Sequence, residues 1–139
     1  MIIRQIISVL SLLVVAGSVT AGVVKVDLKT GLIKSGETIV INLDALVPAH
    51  IYKLDCSLSS DHTSGKPYNL VSVTTPTNAS AIGVTAEETS PGSHQYQLPT
   101  TMNSHLYGNI TKDIGNISIT NLDDSDSVLL SSCHAIGRM

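Results

Sequence analysis

The chain has 139 residues, with 8 Lys and Arg against 11 Asp and Glu, for a net charge of −3. That balance excludes the basic faces that nucleic acid and anionic membrane surfaces require. With no Trp, no Phe and four Tyr, the interior must be built from Val, Ile and Leu, and there are few flat aromatic platforms for sugar rings.

The first element is not part of a fold. "MIIRQIISVLSLLVVAGSVTAG" has Arg4 as its only charge, a greasy run from Ile6 to Val19, and small residues at its end, with Val19 and Ala21 at the −3 and −1 positions of a cut. This is the anatomy of a secretory leader. The run is too short for a spanning helix, which needs about 20 apolar residues. The expectation is therefore a leader over 1–21 and a single domain over 22–139. The protein would be exported, periplasmic or secreted, and meet a membrane only during export. The short leader and chain suggest a bacterial source.

Period-two patterns follow. "VVKVDLK" puts Val24, Val26 and Leu28 on one face and Lys25, Asp27 and Lys29 on the other. "TIVINLD" sets Ile39, Ile41 and Leu43 opposite Thr38, Val40, Asn42 and Asp44. "YKLDCSL" sets Tyr52, Leu54, Cys56 and Leu58 opposite Lys53, Asp55 and Ser57. Such alternation predicts strands with one buried face. Further strands are predicted at 68–75, 80–86, 94–98, 116–122 and 127–135, separated by turn signals such as "KSGE", "SPGS", "TMNS" and "LDDSDS". Short alternating strands with Gly and Pro turns predict an all-β fold, an antiparallel β-sandwich. The reading leans toward immunoglobulin-like topology, although the buried Trp usual there is absent.

Export decides how the two cysteines are read. In an oxidising compartment, an even number usually means disulfides. The expected bond joins Cys56 to Cys133, closing a loop worth roughly 4 kcal/mol in the chain-entropy model. A catalytic pair of Cys133 with His134 is disfavoured, because neighbours on a strand face opposite ways.

Candidate sites are sparse. Asp123, Asp124 and Asp126 in "NLDDSDS" could offer oxygens to calcium, but no EF-hand pattern continues, and a solvated turn reads better. Met102 and His105 in "TMNSHLYG" offer copper a thioether and an imidazole. The histidines His50, His62, His94, His105 and His134 form no HxH, HxxxH or HExxH signature. No nucleophile elbow occurs, and the adjacent Glu87 and Glu88 would diverge on a strand. Three sequons, at Asn78, Asn109 and Asn116, would matter only in a eukaryotic secretory host.

The functional expectation is an exported, non-catalytic binding module without cofactor, whose partner is another protein and not nucleic acid. Its docking element would be the N-terminal strand carrying Val24, Val26 and Leu28, used as a sheet edge. The alternative is a periplasmic metal-binding protein for copper or calcium.

Overall fold

A computed structural model describes residues 18–20, 22–60, 65–79, 82–85 and 87–138. Among the described residues, twelve strands run in chain order: β1 Ser18–Thr20, β2 Val23–Asp27, β3 Gly31–Ile33, β4 Thr38–Asn42, β5 Tyr52–Ser60, β6 Tyr68–Thr75, β7 Ile82–Val84, β8 Glu87–Thr89, β9 Gly92–Pro99, β10 Ser104–Ile110, β11 Asn116–Asn121 and β12 Val128–Arg138. A 3-10 turn, Lys112–Ile114, separates β10 from β11.

The strands form two antiparallel sheets packed as a β-sandwich. The larger has the order β1-β2-β12-β5-β10-β7-β8, with β3 also paired to β12; the smaller is β4-β11-β6-β9. Strands β2 and β3 act as one kinked strand, since both lie against β12. Successive main strands then cross from one sheet to the other, except β6 and β9, which pair directly. The β7–β8 hairpin between them reaches over to extend the larger sheet. This order, β2/β3-β12-β5-β10 over β4-β11-β6-β9, is that of a jelly roll. The sandwich stands, and the lean toward immunoglobulin-like topology gives way to this connectivity.

The alternation read from the sequence sets the core. Ile39, Ile41 and Leu43 are buried from β4 and its end, and Tyr52, Leu54, Cys56 and Leu58 from β5. Val26 and Leu28 face the same interior. The opposite sheet contributes Val71, Val73, Tyr96, Leu98, Ile117 and Ile119. Two residues mark close packing: a Cβ at Gly137 would come within 2.7 Å of the Tyr52 ring, and one at Gly83 within 2.1 Å of the Tyr107 ring.

β12 departs from simple alternation. Val128 and Leu130 point inward, and so do Cys133, Ala135 and Gly137. The parity changes because an extra residue is inserted opposite β5 between Leu130 and Ser132. Such a bulge switches the face that later residues present. Without it, Cys133 would point to solvent.

The switch delivers Cys133 directly opposite Cys56 in register, and the two form the disulfide. The Leu28 N–H donates to the Cys133 carbonyl at 2.8 Å, so Cys133 turns its backbone groups toward the β2 side. The Cys56–Cys133 pair is therefore the non-hydrogen-bonded kind, where side chains approach closest.

Some elements escaped the sequence reading. β10 was hidden behind the turn signal "TMNS" and Gly108, although Ser104, Leu106 and Ile110 are buried at alternate positions. The three-residue strands β1, β3 and β8 are too short to show a period. Of the strand expected over 80–86, the described residues hold β7, ended by a turn at Thr85 with φ of 57°; residues 80, 81 and 86 lie outside the described residues.

Candidate functional site

Three places carry enough chemistry to consider: the acidic loop before β12, the outer face of the larger sheet, and the free edges of the sheets.

The acidic loop is organised by Asn121, the last residue of β11. Its side chain is fully buried, where an unsatisfied amide would be costly. Nδ2 donates to the Ile33 carbonyl at 2.9 Å and to the Asp126 carbonyl at 2.8 Å. Oδ1 accepts from the Asp123 N–H at 2.9 Å. The Asn121 backbone pairs with Gly36 and Glu37. One amide thus ties the turn between β3 and β4 to the loop between β11 and β12.

Asp123 is buried to 7% side-chain exposure. Its Oδ2 accepts from the Asp126 N–H at 2.7 Å and the Ser125 N–H at 3.1 Å. Its Oδ1 meets the Lys66 ammonium at 3.1 Å, and Lys66 reaches Asp124 at 2.6 Å. Burial alone would raise the Asp123 carboxyl, but these backbone donors and the ammonium more than offset it and hold it below the usual carboxylate range. Asp124 is lowered chiefly by its bond to Lys66. Lys66, held by Asp124 and then Asp123, is pushed up to about 12.

The Lys66 ammonium thus lies against two of the three carboxylates that the sequence offers to calcium. Asp126 is buried, and its backbone N–H and C=O serve the loop. "LDDSDS" forms a turn in which Asp123 satisfies nearby backbone N–H groups, with Lys66 added from a distant part of the chain. Nothing in the local sequence pointed to Lys66, which lies 57 residues before Asp123.

Met102 is exposed in the turn before β10, and His105 lies on the outer face of β10 opposite Ser57. Among the described residues, no group of three or more His, Cys, Asp or Glu is placed to hold a metal ion. His62 lies outside the described residues. His50, in the loop before β5, and His94, in β9, are both half-buried.

The outer face of the larger sheet carries a row that the sequence did not announce. Asp27, His134, Asp55 and Tyr107 are successive register partners across β2, β12, β5 and β10. His134 Nδ1 sits 2.9 Å from Asp27 Oδ1. As expected, Cys133 and His134 face opposite ways, one into the disulfide and the other into this row. All three sequon asparagines, Asn78, Asn109 and Asn116, are exposed.

The edges remain. In the smaller sheet they are β4 and β9; in the larger they are β1 and β8. Val24 is half-buried, while Val26 and Leu28 are buried, so the side chains of Val26 and Leu28 belong to the core. One side of β2 is used by β12, with register Val26 to Ala135 and Val24 to Gly137. From the Leu28–Cys133 bond and strand alternation, Val24 and Val26 also turn their N–H and C=O toward β12. Val23, Lys25 and Asp27 turn theirs the other way. That outward side is taken over Val23–Lys25 by β1, with Ser18 opposite Lys25 and Thr20 opposite Val23. Residues 1–17 and 21 of the expected leader lie outside the described residues, and its Ser18–Thr20 form β1.

No family model matches the chain, and neither does any curated protein. Among solved structures, it is similar to a Clostridium thermocellum N-terminal endo-1,4-β-D-xylanase 10B comprising CBM22-1 and GH10 modules, complexed with xylohexaose, at a TM-score of 0.41 and 11% identity. The match covers 85% of this chain and 26% of that one. Likeness at this level carries nothing about function, and the sandwich rests on the strand pairing itself.

Proposed function

We propose that the protein is an exported, non-catalytic interaction module, and that its partner adds an extended segment as a strand along the outward side of β2. One observation supports this above others. That side already accepts an antiparallel strand, β1, drawn from inside the segment whose sequence has the anatomy of a removable leader. Cutting after Ala21 frees the backbone groups of Val23 and Lys25, in line with those of Asp27. An unpaired edge of this kind is a template for a strand from another chain. The Cys56–Cys133 disulfide supports export, since such bonds persist in oxidising compartments.

The test follows from which amides point outward. Proline at Val26 would remove a bond to β12 and damage the fold itself. Proline at Lys25 removes an outward N–H and leaves the β12 ladder intact, as edge strands tolerate. The leader-free Lys25→Pro protein should keep its circular dichroism and disulfide but lose the partner that co-purifies with the exported protein. A Lys25→Pro protein that folds and retains that partner would sink the reading.

A further inference from the structure

With residues 1–21 removed, the outward side of β2 presents the sequence Val23-Lys25-Asp27 on its bonding positions, with Lys25 and Asp27 both exposed on the outer face. Registers available to a second, antiparallel β2 can be compared by charge alone. If Lys25 stands opposite Lys25 of the other copy, like charges meet. If Asp27 stands opposite Asp27, the same is true. If Val26 stands opposite Val26, Lys25 faces Asp27 of the other copy and Asp27 faces its Lys25. Opposite charges placed directly across a pair stabilise it and like charges oppose it.

That favoured register also satisfies the backbone. Lys25 and Asp27 are the residues whose N–H and C=O point outward, so each Lys25–Asp27 pair exchanges both its N–H···O bonds. The arrangement is isologous and closes on two copies, with the two-fold axis at Val26.

From this we infer that a second copy of the leader-free chain is the partner of the β2 edge, the two larger sheets joining through β2 in the register that sets Lys25 against Asp27. The inference rests on the strand-addition reading and names its occupant. Removal of the leader then acts as the assembly switch, because in the uncut chain Ser18–Thr20 occupy Val23–Lys25 and a second β2 cannot.

Light scattering on the protein exported by its own host, with its N-terminus read by mass spectrometry, tests this. The wild-type molar mass should be double that of the chain. Lys25→Asp and Asp27→Lys should each weaken assembly by roughly tenfold or more, since both symmetric pairs change from attraction to repulsion. The Lys25→Asp/Asp27→Lys double variant should recover the doubled mass. So should a mixture of the two single variants, because each then supplies the charge the other lacks. Both positions are exposed, so folding can be verified for each variant by its intact disulfide. A monomeric wild type, or a dimer indifferent to these swaps, overturns the inference. If the wild type is monomeric yet Lys25→Pro still abolishes binding of another protein, only self-pairing falls. If Lys25→Pro leaves a dimer unchanged, or if the exported chain retains Ser18–Thr20, strand addition falls with it.

Discussion

The loop before β12 and the edge of β2 are both rich in polar groups, yet they differ in who satisfies them. In the loop, Asn121, Asp123, Asp126 and Lys66 close one another's valences, and three strand connections are tied together in doing so. Along β2, among the described residues, the outward backbone of Val23–Lys25 is closed by Ser18–Thr20, a segment of leader-like sequence. A cluster of acids looks like a binding site in a sequence, but a self-saturated network has little left to offer a ligand. The backbone groups of an edge strand, by contrast, remain available for pairing whenever no neighbouring strand covers them.

The strand shared by both regions is β12, and cutting its tie to β5 should have the largest effect. Replacing Cys56 and Cys133 together by Ala should cost about 4 kcal/mol, on the chain-entropy estimate for a separation of 77 residues. Urea denaturation checks it; a loss below about 1 kcal/mol would mean the unfolded chain is already compact. Next comes the loop's organising amide. Asn121→Ala removes three bonds made at a fully buried position and should cost roughly 3 kcal/mol at about 1 kcal/mol each. If that variant is as stable as wild type, the loop is not held by the Asn121 amide.

The pH dependence is smaller and has a definite sign. The Asp123 carboxyl is held below its ordinary value of 3.8 in the folded chain. Its contribution to stability is therefore present above that value and is lost as pH falls through the lower, folded one. Lys66 behaves in the opposite sense: its contribution is complete below 10.5 and fades as pH rises toward about 12. Asp123→Asn should flatten the acid limb of the stability curve, measured by melting temperature from pH 5 down to acid unfolding. An unchanged acid limb would mean that other carboxylates govern it. The smallest effect on stability belongs to the edge. Lys25→Pro should leave the melting temperature of the leader-free protein within a few degrees of wild type, whereas Val26→Pro should lower it sharply. Equal losses from both would show that the outward amide of Lys25 also holds the fold.

Much of the molecule was legible in the chain alone. Alternation in 24–28, 38–44 and 52–58 set the inward residues of three strands, because a pleated backbone sends successive side chains to opposite faces whatever its neighbours are. The count of two cysteines, read with the leader-like start of the sequence, named the Cys56–Cys133 disulfide. The jelly-roll order was not legible, since pairing partners lie far apart in the chain and period two says nothing about which strand lies beside which. The bulge between Leu130 and Ser132 was likewise invisible: it is a mismatch between two strands, not a property of one. Yet it turns Cys133 toward Cys56. The same holds for Lys66 against Asp123 and Asp124, and for β1 on β2. Composition and period were set by the sequence by itself; contacts between distant segments were decided by tertiary structure, because only packing brings them within reach.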